Sequence, residues 1–238
     1  MNQRYIFFSL ILLFSVAIIS YRVTYALFSS SASNNGNVFS ASTAFPTSTP
    51  TPTTPITPTP TPQAGEVIIN EINWGGNNHH DEDEWIELRN TTTHAIDLNG
   101  CIIENLGTGD VTIPSGKTIS ANGYFLISFY TKDNVNSRLN VDPDMTAILD
   151  LDDKGEQLKL KTSTAVLIDT ANQTDDHGKW CAGEKPDKKK DKPAKSMERK
   201  SPPNDGADCS NWQTATTHTG LDNSGTTDEF GTPKNLNP

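Results

Sequence analysis

The stretch that decides the fold is Glu66-Val-Ile-Ile-Asn-Glu-Ile-Asn73, which is followed after a polar gap by Glu84-Trp-Ile-Glu-Leu-Arg-Asn90. Both runs are short and rich in Val, Ile or Trp, the residue types that suit a pleated and half-buried strand. Each run carries a carboxylate near its middle, Glu71 in the first and Glu87 in the second. Together they predict two β-strands and a folded domain that begins near Glu66.

Downstream of these two runs, the chain continues as short apolar segments separated by Gly, Asn and Pro turns. Residues 124–130 are almost continuously apolar, as in a strand buried on both faces. After the N-terminal segment, no window of ten or more residues has a good helical period, so the pattern favours an all-β sandwich or small barrel. The predicted strands are residues 67–72, 85–88, 96–106, 111–114, 124–130, 147–149, 157–161 and 165–169.

Residues 1–28 have the pattern of an export signal. Arg4 precedes an apolar run over residues 5–19, which only Ser9 and Ser15 interrupt. A positive start and an apolar run of this length predict a secretory signal peptide. The alternative is an uncleaved hydrophobic helix that anchors the chain in the cytoplasmic membrane with the remainder outside, although a full span needs about 20 apolar residues.

Residues 29–65 are predicted to be a disordered linker between this segment and a domain over residues 66–238. Its first part is rich in Ser and Asn, and residues 45–62 read FPTSTPTPTTPITPTPTP. Alternating Pro and Thr breaks helices and sheet ladders and favours extended polyproline II. Such a segment acts as a semi-rigid spacer that holds a domain away from a surface.

Charge and cysteine content reduce the number of function classes that fit the chain. The net charge is −10, and no Asp or Glu precedes Glu66, so the folded part is acidic and specific nucleic-acid binding is not expected. Three cysteines match no zinc-finger spacing. Cys101 lies in an apolar run and is predicted to be buried, whereas Cys181 and Cys209 lie in loop-like segments and are predicted to form a disulfide if the chain is exported.

A set of ordered motifs resembles the lamin-tail domain family, in its exported bacterial type. The resemblance covers nearly all of residues 66–238, and it implies an immunoglobulin-like β-sandwich that serves as a binding or structural module without catalysis. Insertions after Trp74 and before Ser196 depart from the family pattern. The motifs are Ile69-Asn-Glu-Ile72, Glu84-Trp-Ile-Glu-Leu-Arg-Asn90, Ile96-Asp-Leu-Asn-Gly100, Thr112-Ile-Pro114, Asn122-Gly-Tyr124, Leu158-Lys-Leu160, Val166-Leu-Ile-Asp169, Ser196-Met-Glu-Arg199, Asn211-Trp212 and Gly231-Thr-Pro-Lys-Asn235.

The polar and aromatic residues of these motifs are interpreted as structural. Glu71 and Glu87 can do acid–base work only if their surroundings split their pKa values. We expect them instead to bond turn backbone or to pair with an arginine such as Arg199. The predicted structural set is Asn70, Glu71, Trp85, Glu87, Asn90, Arg199 and Trp212.

A second similarity concerns the N-terminal part. Thr24-Tyr-Ala-Leu-Phe28 and Gly36-Asn-Val-Phe-Ser-Ala41 are similar to the signal regions of camelysin-like and biofilm-fibre proteins. That similarity implies processing by a specialised signal peptidase and surface display. It leaves a surface fibre subunit open as an alternative function.

The acidic loop between the first two strands holds the densest set of possible metal ligands. His79, His80, Asp81 and Asp83 are candidates for a weakly bound divalent cation. Neighbouring residues on an extended segment point in opposite directions, so a solvated acidic loop without a cofactor is the preferred interpretation. A metal-dependent hydrolase or nuclease accessory that uses residues 79–84 is the alternative. Acidic positions at 142–144 and 150–153 are further calcium candidates, although the EF-hand pattern is absent.

Residues 185–195 form a lysine-rich loop, Lys185-Pro-Asp-Lys-Lys-Lys-Asp-Lys-Pro-Ala-Lys195. It is interpreted as a disordered, solvated loop. The alternative is electrostatic contact with anionic cell-wall polymer, phospholipid or nucleic acid, although the loop has no aromatic residue on which bases could stack. Taken together, the sequence predicts a non-catalytic module for adhesion or scaffolding at the cell envelope. Its partner would be an envelope or extracellular protein or polymer that the sequence does not identify.

Overall fold

The computed structural model describes residues 59–107, 109–173, 179–187, 189–190, 192–222 and 229–238. They lie in one compact unit, Ile56–Pro238. The predicted signal segment and most of the predicted linker fall outside the described residues. Within the described ranges, no helix is both long and apolar enough to cross a membrane.

The described residues form strands and one short 3-10 turn, as the all-β prediction required. The turn is Cys209–Asn211. The strands are β1 (Val67–Asn73), β2 (Trp85–Asn90), β3 (Ile96–Asp97), β4 (Ile102–Glu104), β5 (Val111–Thr112), β6 (Thr118–Ile119), β7 (Tyr124–Ser128), β8 (Met145–Thr146), β9 (Leu158–Lys161), β10 (Leu167–Ala171), β11 (Ala194–Lys195), β12 (Met197–Arg199), β13 (Trp212–Thr214) and β14 (Glu229–Phe230).

The larger sheet has the strand order β13-β12-β1-β2-β7-β8. Its pairs are antiparallel except for β7 and β8, which run parallel. The register between β1 and β2 shifts between Ile69 and Glu71. Because side chains alternate along a regular strand, Ile69 and Ile72 would otherwise face opposite ways. The irregularity lets both of them join the main core.

The smaller sheet has the order β10-β9-β4-β5, and two further pairs, β3-β6 and β11-β14, stand apart from it. One hydrophobic core joins residues of the larger sheet, such as Ile86 and Phe125, to Ile103 and Leu160 of the smaller one. Two sheets around one core are the arrangement of a β-sandwich, consistent with the predicted immunoglobulin-like class.

Several element boundaries differ from the predicted ones. The predicted strand at 147–149 lies instead at Met145–Thr146, and the one at 165–169 lies at Leu167–Ala171. Strands β11 to β14 were not predicted. They contain two or three residues each, too few for a period to be visible, and they pair with partners far away in the chain.

The domain's contacts also begin before Glu66. The carbonyl of Pro60 accepts the N–H of Asp97 at 2.8 Å, and Gly65 N–H donates to Ile168 O at 2.9 Å. Pro62 is buried. The last residues of the Thr/Pro segment are therefore packed on the sandwich.

The described residues of the lysine-rich loop take part in backbone pairing, and the expectation of a disordered loop stays a prediction. Bridges between Glu184 and Lys195 and between Asp187 and Lys192 form a narrow hairpin. Glu184 also pairs with the ammonium groups of Lys192 at 2.9 Å and Lys195 at 3.3 Å. The acidic residues of the loop thus neutralise several of its lysines within the hairpin.

Candidate functional site

Three glutamates lie side by side on adjacent strands of the larger sheet. Glu71 of β1 is the cross-strand partner of both Glu87 in β2 and Glu198 in β12. All three side chains are buried, as is Glu229 of β14. We call these four residues the carboxylate cluster. Like charges opposite each other destabilise a sheet, so the cluster requires strong compensating contacts.

Residues 229–238, here named the C-terminal strap, supply several of those contacts. The Thr232 backbone N–H donates to Glu71 Oε1 at 2.8 Å, and Thr232 Oγ1 lies 2.9 Å from Glu71 Oε2. Ser196 Oγ donates to Glu71 Oε1 at 2.6 Å. The Lys234 backbone N–H donates to Glu87 Oε2. The strap therefore satisfies the two family-motif carboxylates through its own backbone.

Two asparagines connect the strap to β1. Asn70 Nδ2 donates to Glu87 Oε1 at 2.8 Å and to Asn237 Oδ1 at 3.1 Å. Asn237 Nδ2 donates to the carbonyls of Asn70 at 3.1 Å and Arg199 at 2.9 Å. Each of these side chains bridges two elements, so the strap is held by a connected polar network and not by isolated bonds.

Burial controls the protonation of the cluster. Burial raises the pKa of Glu71, the neighbouring Glu198 charge adds to the increase, and the bonds from Ser196 and Thr232 oppose it, which brings the pKa to about 8. Burial also raises the pKa of Glu87 well above its usual range, with the Glu71 charge as the next cause. Burial is also the main cause that raises the pKa of Glu198. With its pKa at about 8, Glu71 holds its proton at neutral pH, which relieves its repulsion with the neighbouring carboxylates.

Of the two arrangements expected for Glu71 and Glu87, the bonds to backbone are formed, and the alternative pairing with Arg199 is not. Its NH2 group lies 2.5 Å from Asp169 Oδ2, while NH1 donates to the carbonyl of Asn204 at 2.6 Å. The guanidinium also stacks on the Trp212 ring at 4.6 Å from the centroid. Asp169 of β10 also accepts the N–H of Ile69 in β1 at 2.8 Å, whereas Glu71 bonds to the strap.

The two remaining members of the predicted structural set also make internal contacts. Trp85 Nε1 donates to Glu229 Oε1 at 2.9 Å. Asn90 Nδ2 donates to the carbonyls of His94 at 2.7 Å and Ser120 at 2.9 Å, and Asn90 Oδ1 accepts the N–H of Thr92. Asn90 thus organises the turn after β2.

The four predicted metal ligands are not brought to one point. Asp83 is buried, and its Oδ2 accepts from Asn77 Nδ2 at 2.6 Å and from the Arg138 N–H at 2.8 Å. His79 and Asp81 are exposed, and His80 packs edge-on against Tyr130. Across the described part of the chain, no three His, Cys, Asp or Glu side chains group as metal ligands.

An open cavity of about 480 Å³ lies beside this loop. Glu84, Asp150 and Asp152 line it together with Asp153, which pairs with Lys185. Burial raises the pKa of Glu84 to about 8, the Leu151 N–H opposes the shift, and the charge of Asp150 adds to it. The sequence pointed to residues 150–153 as an acidic loop, but their approach to Glu84 was not predictable because 66 positions separate Glu84 from Asp150.

The cysteines adopt the predicted arrangement. Cys181 and Cys209 are joined, with Cα atoms 4.8 Å apart and a sequence separation of 28. Cys101 is free and only 1% exposed. The bond ties the segment before the lysine hairpin to the turn before β13, close to the stacked rings of Trp74 and Trp180.

The β-sandwich and its buried, hydrogen-bonded carboxylates define the class of domain, and comparison with known families identifies the family. A family model for the lamin tail domain matches residues 60–178, half of the chain. The chain therefore belongs to the lamin tail domain family, whose members are generally structural or binding modules and not typically enzymes. No curated protein matches the sequence. The matched region ends before β11 to β14 and the strap.

Sequence reasoning did not predict several of the residues that complete the site. Asp169, Glu198 and Glu229 were assigned no role, and Thr232 and Asn237 were not singled out. Asp169 and Glu198 lay within two of the family motifs, and the Gly231-Thr-Pro-Lys-Asn235 motif marked the strap as part of the domain. Nothing local to these residues indicates which carboxylate each of them meets.

Proposed function

We propose that this chain is an exported, non-catalytic module that presents its lamin-tail sandwich at the cell envelope for adhesion or scaffolding. The observation that carries the proposal is the use of Glu71 and Glu87. These family-motif carboxylates are buried and bonded to the C-terminal strap, so they serve to close the domain. A family whose members generally bind or support other molecules is consistent with that use.

Two further features support export and display. A Cys181–Cys209 bond is the kind of crosslink that persists in oxidising compartments and is rare in the cytosol. The N-terminal apolar run and the Thr/Pro segment have the composition of a signal or anchor followed by a spacer. Both sequence features lie mainly outside the described residues and enter the proposal from sequence alone.

The export part of the proposal is tested by whether the chain is accessible from outside the cell. Intact cells that express the full chain are treated with a non-permeant protease, and the loss of full-length chain is followed by immunoblot. We expect digestion within the Thr/Pro segment that releases a resistant sandwich. Full protection in intact cells, with Cys181 and Cys209 reactive to alkylating reagent, would contradict export.

Partner binding is tested separately with the purified full chain immobilised and exposed to envelope fractions. We expect retention of an envelope protein or polymer by the native chain and not by a heat-unfolded sample. Equal retention by both samples would indicate nonspecific adsorption and count against a binding module.

A further inference from the structure

Three buried oxygen atoms at one end of β1 have no hydrogen-bond partner: Asn73 Oδ1, Asp83 Oδ1 and Glu229 Oε2. Their side chains are 0%, 1% and 0% exposed, respectively. An acceptor that is buried without a donor costs free energy, and an unpaired carboxylate oxygen costs more than an amide oxygen. Three such acceptors in a folded domain therefore call for an explanation.

The three residues lie in one place, although they are far apart in sequence. Asn73 Nδ2 donates to Glu229 Oε1 at 2.6 Å and to the backbone carbonyl of Asp83 at 3.0 Å. Its own Oδ1 is bonded to the same amide carbon, so this oxygen is close to both carboxylate residues. The Asp83 charge also acts directly on the Glu229 carboxylate.

The partners already present hold the remaining oxygens and leave these three unused. Glu229 Oε1 accepts from Asn73 and from Trp85 Nε1, and Asp83 Oδ2 accepts from Asn77 Nδ2 and the Arg138 N–H. The contacts thus fix the orientation of each side chain. Each residue therefore keeps one buried side-chain oxygen without a donor, on a side chain whose other polar atoms are already held in place, as the supporting contacts of a binding site would hold it.

We propose that Asn73, Asp83 and Glu229 form a binding site for one divalent, oxygen-preferring cation of the calcium type. Two carboxylates and one amide oxygen are hard ligands, which suit calcium better than zinc or copper. A doubly charged ion would offset the negative charges of the two buried carboxylates. The Arg138 guanidinium already offsets part of that charge from outside the set, since its charge favours the ionised forms of Asp83 and Glu229. Water and backbone carbonyls complete the six to eight oxygens that calcium takes.

This site differs from the sequence prediction in the acidic loop, because only Asp83 is common to both. It also differs from the open acidic cavity, whose lining includes none of the three residues. The ion would join the end of β1, Asp83 two residues before β2, and the first residue of the strap. Cation binding would therefore hold the strap on the sandwich. This inference does not depend on the proposed export of the protein.

The first test uses the full chain treated with chelator and then exchanged into buffer of known metal content. We expect it to bind one equivalent of Ca²⁺ in equilibrium dialysis and to melt at a higher temperature as Ca²⁺ is added. Tb³⁺ should occupy the same site and give emission excited through Trp85, which Ca²⁺ displaces. Absence of bound Ca²⁺ and Mg²⁺, with no change in melting temperature, would overturn the proposal in favour of a proton shared by Glu229 and Asp83.

The second test assigns the site with matched variants. Glu229→Gln keeps the shape and removes one charge, and it should weaken Ca²⁺ binding at least tenfold. Glu198→Gln alters another buried cluster carboxylate, and Asp152→Asn alters the acidic cavity, and both should keep native affinity. Native affinity in Glu229→Gln, or loss of binding in Asp152→Asn instead, would place the ion elsewhere and refute this site. If Glu229→Gln fails to fold, Asp83→Asn replaces it with the same expected loss.

Discussion

Glu71 of β1 and Thr232 of the C-terminal strap meet across 161 residues of sequence, with the Thr232 N–H 2.8 Å from Oε1 and Thr232 Oγ1 2.9 Å from Oε2. Both carboxylate oxygens of one buried glutamate are thus used by one strap residue. This contact couples the centre of the larger sheet to the end of the chain. It makes the strap part of the folded domain and not an appendage.

The Glu71–Thr232 contact predicts a contrast between two substitutions of Glu71. Glu71→Ala removes the acceptor for Ser196 Oγ and the Thr232 N–H, and leaving such donors buried should lower the free energy of unfolding by about 3 kcal/mol. Glu71→Gln keeps one acceptor oxygen and resembles the protonated acid, so it should cost about 1 kcal/mol or less. Urea denaturation of both variants measures the difference. Equal losses would argue against a hydrogen-bonding role.

The strap can be tested with two asparagines of the same segment. Asn237→Ala removes the donors for the carbonyls of Asn70 and Arg199 and should cost about 2–3 kcal/mol. Asn235→Ala is the matched control, because Asn235 Nδ2 donates only to Pro233 O two residues away. Its expected loss is about 0.5 kcal/mol. Limited proteolysis should cut the strap faster in Asn237→Ala alone, and equal rates in the two variants would contradict the network.

Asp169 should make stability depend on pH in the mildly acidic range. Burial raises its pKa from the ordinary 3.8 to about 6, and Arg199 only partly offsets the shift. A carboxyl whose pKa is higher in the folded state binds its proton more tightly there, so its contribution is complete below about pH 4 and is lost as the pH rises through 6. The measurement is unfolding free energy between pH 4 and 7 for native protein and Asp169→Asn.

The difference in unfolding free energy between the native protein and Asp169→Asn reports on Asp169 alone, because the other carboxylates titrate in both proteins. We expect the native protein to lose stability relative to Asp169→Asn as pH rises, by at most about 3 kcal/mol, since one pKa unit corresponds to about 1.4 kcal/mol. A relative gain on raising the pH would mean that the Arg199 charge outweighs burial.

The cysteines predict a simple pattern of thiol reactivity. Burial raises the pKa of Cys101 to about 11, so its thiolate is scarce at pH 8 and the side chain is also shielded. The native protein should show no reactive thiol. The unfolded protein should show one reactive thiol before reduction and three after reduction. Reduction should lower the unfolding free energy by about 3–4 kcal/mol in the chain-entropy model. More than one thiol in unreduced protein would mean that Cys181 and Cys209 are not joined.

Local pattern was enough to predict the scaffold. The apolar runs around Ile69, Ile86 and Phe125 have strand-like composition and length, and they form neighbouring strands of the larger sheet. Such runs are visible because burial against one core imposes hydrophobicity at regular intervals along the chain. The order of the motifs was likewise sufficient to indicate the lamin tail family, which the family model confirms.

The partners of the polar residues were decided only by the tertiary structure. Arg199 was expected at Glu71 or Glu87 and lies instead on Asp169, and Glu229 meets Asn73 across 156 residues. A buried charge accepts any well-placed opposite charge or donor, so sequence spacing carries no information about which one it meets. Sequence by itself determined that Glu71 and Glu87 lie on two strands at the start of the domain. Only the folding back of the strap decided that they would be buried, because burial depends on what covers a strand and not on the strand's own residues.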